Sequence, residues 1–310
     1  MQDIQNNHVM SSYFAPRGSG RMHALGMQLA QLYLSPFDKL IGVIGEAGSG
    51  KSALIRGMFP GLELTNDDND VYVRPLPLLE LDMRRGFFTP HTYHVDIRFE
   101  NAFTQMGVLA DAINEALRRG KRVVVEHFDL VCPYISMTPN VLIGVGEQVM
   151  ICRPTLFGPD PQDIRDTVYQ SLRYRLMAHT AEDLCEYCMP EADLERCGHD
   201  DAKHGFVISF PETMPNFDIR ELERKVNELI AQDMPVAYLD EKHVSIGGAV
   251  HACTGPRVHV GRTGQIENFH LLDHFIYDEF KRRYLLVGCV GENAEEDLKS
   301  LERHQQTAWD

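Results

Sequence analysis

The sequence predicts two domains in succession, an α/β domain with a mainly parallel sheet followed by an α+β domain. Three observations predict this. The apolar run Leu40-Ile41-Gly42-Val43-Ile44 leads directly into the glycine-rich stretch Gly45-Glu46-Ala47-Gly48-Ser49-Gly50-Lys51-Ser52. Strand-like and helix-like segments then alternate to about residue 129, the pattern of a parallel sheet. Lastly, residues 153–161 contain three prolines and a glycine, which reads as a linker and puts the boundary between 160 and 161.

Each element of the first domain, residues 1–160, has its own signal. Ala53 to Met58 begins a helix behind the glycine-rich loop, and Leu62 to Asp70 is a polar, acidic turn. Tyr93 to Phe99 alternates like a strand. Between Gly107 and Arg119, the residues Val108, Leu109, Ala112, Ile113, Ala116 and Leu117 fall at helical spacing, and Gly120 ends that helix. Lys121 to Asp129 opens another buried strand. Asn140–Val145 and Glu147–Cys152 read as two strands joined at Gly146.

The stretch from Gly45 to Ser52 is a complete Walker A sequence in the context that gives it meaning, a buried strand before it and a helix after it. In such a P-loop, backbone N–H groups point at phosphate oxygens and the helix N-terminus adds partial positive charge. Lys51 is expected to reach the β- and γ-phosphates, and the Ser52 hydroxyl to bind Mg²⁺. The expected ligand is ATP or GTP with Mg²⁺, since no base-specific motif separates the two.

Val123-Val124-Val125-Glu126 resembles a Walker B strand with an acidic end. A carboxylate there holds Mg²⁺ or positions an attacking group. Glu126 is the first candidate and Asp129 the second; the alternative is that Glu126 pairs with Arg122 or caps a turn. Asp67 and Asp68 are further acidic candidates. Arg84, Arg85 and Arg98 are candidate clamps on a transferring phosphoryl group.

Composition narrows the partners. Residues 1–160 carry 14 Lys+Arg against 17 Asp+Glu, a net of −3, whereas residues 161–310 carry 16 against 28, a net of −12. Nucleic-acid affinity depends on neutralising phosphates, so this balance disfavours tRNA and argues against DNA. No apolar run is long enough to span a bilayer. With no secretory segment at the start and seven cysteines, the expectation is a cytoplasmic protein with reduced thiols.

From about residue 163 to 292 the chain resembles the second additional domain of alanyl-tRNA synthetases and its free-standing editing relatives. The matching segments occur in the family's order. Arg173 to Leu184, containing His179-Thr180-Ala181-Glu182-Asp183, looks like the helix with a His-Thr-Ala-x-His zinc motif. Gly205 to Phe210 is similar to the Arg-Phe-Asp-Phe strand, Ile219 to Ile230 to the next helix, and Met234-Pro235-Val236 to the start of the strand after it. Cys253-Thr254-Gly255-Pro256-Arg257-Val258 and Thr263-Gly264-Gln265-Ile266 are similar to Cys-Gly-Gly-Thr-His-Val and Thr-Gly-Glu-Ile. The resemblance implies an α+β editing-like domain over 161–293, leaving 294–310 as a polar tail or surface helix. It also implies hydrolysis of mischarged aminoacyl-tRNA and a zinc ion at the pocket.

The zinc motif is altered here. His179 holds the first position, Asp183 replaces the second His, Cys253 is kept, and Arg257 falls where the last His belongs, with His259 two residues on. Two readings follow: a zinc site of His179, Asp183, Cys253 and His259, or a metal-free relic in which Arg257 pairs with Asp183. A second zinc candidate is Cys185-x-x-Cys188 with Cys197 and His199, and its alternative is ordinary buried thiols.

The functional expectation is an ATP- or GTP-using protein that hydrolyses nucleotide or transfers a phosphoryl group, joined to a domain recognising an aminoacyl or related small ligand. One alternative is a nucleotide-gated deacylase of mischarged aminoacyl-tRNA. Another is a non-catalytic amino-acid sensor.

Overall fold

The computed structural model describes residues 10–64, 78–294 and 296–299. Asp67 and Asp68, with residues 65–77, lie outside them, as does most of the C-terminal stretch. The chain forms two units, one from Ser19–Gln170 with the strand before it, the other from Pro16–Gly18 with the chain from Ser171 onward.

The elements of the first unit are β1 (Met10–Phe14), α1 (Ser19–Tyr33), β2 (Leu40–Gly45), α2 (Lys51–Met58), α3 (Leu78–Arg85), β3 (Thr92–Asp96), α4 (Ile97–Glu100), α5 (Met106–Arg118), β4 (Arg122–Glu126), α6 (Phe128–Val131), β5 (Val141–Val145) and β6 (Gln148–Cys152). They build a six-stranded sheet in the order β1-β6-β5-β2-β4-β3. β2 runs parallel to both β4 and β5, and β3 runs parallel to β4. The β5–β6 hairpin and β1 add antiparallel pairs at one edge.

Alternation along the central strands explains why the sheet is buried on both faces. Leu40, Ile44, Val123, Val125 and Leu142 face one core with Ala112, Ile113 and Ala116 of α5. Ile41, Val43, Val124 and Ile143 face the other with Met22 and Leu29 of α1 and Leu54 and Ile55 of α2. Parallel strands covered by helices on both sides read as continuous apolar runs, as these do.

Two local expectations need correction. The strand expected over 93–99 stops at Asp96, whose carboxylate accepts the Phe99 N–H at 3.1 Å and caps α4. A short acid that can take an orphan helix N–H ends a strand despite favourable alternation on either side. The proline-rich stretch is followed at once by α7 (Pro161–Cys188), one helix of 28 residues. The division between the units falls inside α7, because Ile164 and Val168 are buried in the core of the first unit and Met177, Ala178, Ala181 and Leu184 in the core of the second.

The second unit adds α8 (Glu191–Leu194), β7 (Gly198–Ala202), β8 (Gly205–Pro211), α9 (Ile219–Ala231), β9 (Val236–Asp240), β10 (His243–Ile246), β11 (Ala249–Ala252), β12 (His270–Leu271), β13 (Ile276–Asp278) and β14 (Arg283–Cys289). One antiparallel sheet is ordered β11-β10-β9. The other is ordered β12-β14-β8-β7, with β13 also on β14. Phe206, Ile208 and Phe210 of β8 and Leu286 of β14 pack with α7 and with Leu222 and Val226 of α9. Asp218 accepts the Arg220 and Glu221 N–H groups at 2.8 and 3.3 Å, which fixes where α9 starts. The C-terminal stretch is anchored at its start, where Ala294 and Leu298 are buried with Leu272, Val287 and Cys289.

Candidate functional site

The parallel register of the first unit decides what meets at the carboxyl ends of its strands. Val43 of β2 and Asp96 of β3 are both register partners of Glu126 on β4. The loop after β2, Glu126 and Asp96 therefore emerge at one end of the sheet, where ligands of open α/β sheets sit.

The loop itself turns through Gly48 (φ 78°) and Gly50 (φ 97°), left-handed backbone that favours glycine, and delivers Lys51 as the first residue of α2. Lys51 is buried. Its Nζ donates to the Glu46 carbonyl at 2.9 Å and lies 3.8 Å from Glu126 Oε2. Burial pushes its pKa down, against the opposing pull of Glu126 and Asp96. The Ser49 N–H donates to the same carbonyl at 3.3 Å, and Ala47 N–H to the Glu46 carboxylate at 3.1 Å.

Ser52 Oγ donates to Glu126 Oε1 at 3.2 Å, and His94 Nε2 is 3.1 Å from the same oxygen. Burial opposes ionisation of Glu126, but His94 and Lys51 outweigh it and hold the carboxyl below its ordinary value. The expected alternative partner, Arg122, instead donates to the carbonyls of Asp38 and Ser35.

Asp129, the second acidic candidate, does not join Glu126. It lies 3.3 Å from Arg165, and burial raises its pKa. The residues that cluster with Glu126 are Asp96 and His127, with possible ligand atoms within 4.8 Å of one another. Burial and the Glu126 charge raise the pKa of Asp96. Burial, then Lys51 and Arg98, push His127 down to about 3, so its imidazole is neutral at pH 7. His127 also adopts left-handed backbone (φ 54°), which is uncommon for a non-glycine residue. Sequence reading missed both residues, although an acid closing one strand and an acid closing its neighbour was a usable signal.

Of the three candidate clamps, Arg98 is at the loop, donating to Glu46 Oε1 at 2.8 Å and to Tyr169 Oη at 3.4 Å. Arg84 pairs with Glu80 on its own helix, and Arg85 is exposed. Ser52, Glu126 and Asp96 offer hard oxygen donors, the chemistry that suits Mg²⁺.

The second unit gathers a different set. Asp183, Cys253 and His259 lie within 4.8 Å of one another through their possible ligand atoms. His259 Nε2 is 2.8 Å from Asp183 Oδ2 and 3.8 Å from Cys253 Sγ. Thr180 Oγ1 accepts the Val260 N–H at 3.1 Å and so fastens the loop carrying His259 onto α7. His179 is buried on α7 but is not part of this cluster.

The pocket contains an arginine, though not the expected one. Arg17 Nη2 donates to Asp183 Oδ1 and, at 3.0 Å, to Cys253 Sγ, while Nη1 donates to Glu182 Oε2 at 2.6 Å. Arg257 points elsewhere, to Glu241 at 3.0 Å and Tyr238 at 3.2 Å. The expected Arg257–Asp183 pair is thus replaced by Arg17–Asp183. Burial disfavours charge on Asp183, but Arg17 and His259 outweigh it and bring the pKa to about 2. Burial likewise opposes charge on His259, and Asp183 and Cys253 lift it to about 9. With Arg17 in place, the donor set does not fit a zinc ion.

The cysteine set does not assemble with its histidine. Cys185 is fully buried among apolar side chains, and burial pushes its thiol well above the ordinary value. Cys197 is pushed up to about 11 by burial, and Cys188 is also raised. Among the described residues none of the three joins a ligand cluster, whereas His199 meets Glu182 and Glu186 at 3.0 and 3.3 Å. Burial raises the pKa of Glu186 to about 7.

No helix among the described residues is long and apolar enough to cross a membrane. No family model and no curated protein sequence matches the chain. Among solved structures, it is similar to the ornithine aminotransferase from Toxoplasma gondii ME49 at 11% identity, over 80% of this chain and 68% of that one. The TM-score of 0.22 is too low for this likeness to carry an argument.

Proposed function

We propose that the first unit is a P-loop domain that binds a nucleoside triphosphate with Mg²⁺ and hydrolyses it or transfers its terminal phosphoryl group. The observation that carries this reading is the contact of Ser52 Oγ with Glu126 at 3.2 Å, beside Lys51 at the head of α2. The loop amides and Lys51 bind and orient the phosphates, and Arg98 adds charge at the loop mouth. Ser52 and Glu126 would hold Mg²⁺, which when bound neutralises phosphate charge. Glu126, kept ionised by its neighbours, is also placed to orient the group that attacks.

Lys51 must release the Glu46 carbonyl to reach a phosphate, so the loop as described is closed on itself. Calorimetric titration of the full chain with Mg²⁺-ATP and Mg²⁺-GTP, paired with phosphate release, tests the proposal. Absence of binding by either nucleotide would reject it.

For the second unit we propose recognition of an aminoacyl or related small ligand, supported by the ordered resemblance described above. A second reading, nucleotide-gated hydrolysis of mischarged aminoacyl-tRNA, is favoured by the convergence of Asp183, Cys253 and His259. Incubation with mischarged alanine-family tRNA, with and without Mg²⁺-ATP, separates the two: release of the amino acid supports the second reading, and binding without release supports the first.

A further inference from the structure

We propose that the guanidinium of Arg17 is the resident cation of the Asp183–Cys253–His259 pocket, that it stands in place of a zinc ion, and that removing it opens a zinc-class metal site. The three side chains supply a carboxylate, a thiol and an imidazole, a donor set zinc accepts. The position where such an ion would bond both Asp183 and Cys253 is taken by Nη2 of Arg17, which already bonds both. Nη1 turns to Glu182 at 2.6 Å, so one planar cation serves two adjacent acids of α7 and the thiol.

The surroundings are shaped to this arginine. Arg175 Nη2 donates to the Pro16 carbonyl at 3.2 Å and holds the short segment that carries Arg17. A Cβ at Gly255 would lie 2.9 Å from Arg17 Cγ and 3.3 Å from the Gly18 nitrogen. At the same contact, a Cβ at Gly18 would lie 2.9 Å from the Thr254 carbonyl oxygen, and Gly18 has a φ of 86°. Gly18 thus holds a left-handed turn against the Thr254 carbonyl, and Gly255 leaves room for the stem of Arg17. The Gly255 N–H donates to Cys253 Sγ at 3.3 Å, which keeps the sulfur turned toward the guanidinium.

The charge logic is that of a metal site without the metal. Asp183 and Glu182 are each almost wholly buried, and buried carboxylates need a cation at bonding distance. Arg17 supplies it with a fixed charge that no chelator can remove.

The test uses the full chain, purified without chelator. Metal content is measured by mass spectrometry, and Co²⁺ is then titrated into the wild type, Arg17→Ala and the double variant Arg17→Ala/Cys253→Ser, each checked for fold by circular dichroism. The proposal expects the wild type to hold far less than one zinc per chain and to give no thiolate-to-cobalt absorption band. It expects folded Arg17→Ala to gain that band with a one-to-one endpoint, and the double variant to lose it. Near-stoichiometric zinc in the wild type that Asp183→Asn or Cys253→Ser releases would overturn it. A folded Arg17→Ala that takes up no Co²⁺ would overturn it as well. Should Arg17→Ala not fold, Arg17→Gln, which keeps the stem and removes the charge, takes its place in the same titration with the same two outcomes.

Discussion

Ser52 on the first turn of α2 donates its hydroxyl to Glu126, the last residue of β4, at 3.2 Å. Neither strand pairing nor helix packing requires this contact. It exists because β2 and β4 lie parallel and in register, which brings a loop that follows one strand beside the residue that ends the other. Lys51 and His94 complete the surroundings of the same carboxylate.

Replacing Lys51 by Ala removes the cation that the loop holds in reserve. On the proposed reading Lys51 makes charge-assisted hydrogen bonds to two phosphates, so Mg²⁺-nucleotide affinity is expected to fall on the order of 100-fold. Calorimetry on a variant with an unchanged thermal midpoint checks this; wild-type affinity in that variant would remove Lys51 from the site.

Glu126→Gln preserves shape and a Ser52 partner while deleting the charge. Nucleotide binding is expected to persist, with turnover falling by roughly 10²- to 10⁴-fold, the usual scale for a lost acid–base or positioning group. Single-turnover phosphate release against binding affinity separates these effects. Loss of binding with normal turnover at saturation would assign Glu126 to ground-state contacts only.

In the second unit, Thr263 is fully buried, donates to the Leu229 carbonyl at 3.0 Å and accepts the Met234 N–H at 2.9 Å. Thr263→Val keeps the shape but leaves both backbone groups without that partner, at a cost of about 1–3 kcal/mol. Urea unfolding measures it. A midpoint equal to the wild type would show that other groups take over both bonds.

Cys152 offers a pH test. Burial raises its thiol to about 11, and a raised thiol pKa means less thiolate at every lower pH. At pH 8 about one thiol in a thousand is ionised, against about one in four for an ordinary cysteine. Alkylation followed by peptide mass spectrometry should find Cys152 unmodified when a control peptide is fully labelled, with its rate rising about tenfold per pH unit between 7 and 9. Labelling at the control rate at pH 8 would contradict that environment.

What could be read from the sequence was what is local. The loop from Gly45 to Ser52, its strand, the β5–β6 hairpin and the acidic end of β4 each lie within a few residues of their own signals. The position of α5 followed from spacing, since apolar side chains on one face have one core to meet, whereas that of α9 came only from the resemblance to the editing-domain helix. Asp96 was hidden because β-alternation continues past it, while the capping bond that ends the strand depends on the backbone turning first. Arg17 could not have been paired with Asp183 from pattern at all. Arg257 lay in the segment of interest and had the right charge, whereas the arginine that arrives is 166 residues away from its acid. Only the later part of α7 was legible, through the resemblance over Arg173 to Leu184; its start was hidden because the segment just before Pro161 carries the composition of a linker.

The second unit is not a contiguous stretch of polypeptide. Its cation comes from Pro16–Gly18, and the thiol that receives it lies 236 positions downstream. During synthesis Arg17 leaves the ribosome long before Glu182, Asp183 or Cys253 exist, and must stay hydrated until the last of them appears. Contacts of such separation form late and slowly. A gene fragment beginning at Ser171 would encode nearly all of the unit's fold yet omit the charge that balances its most buried acids. Recombination at that point would therefore pass on the acidic pocket without the residue that fills it.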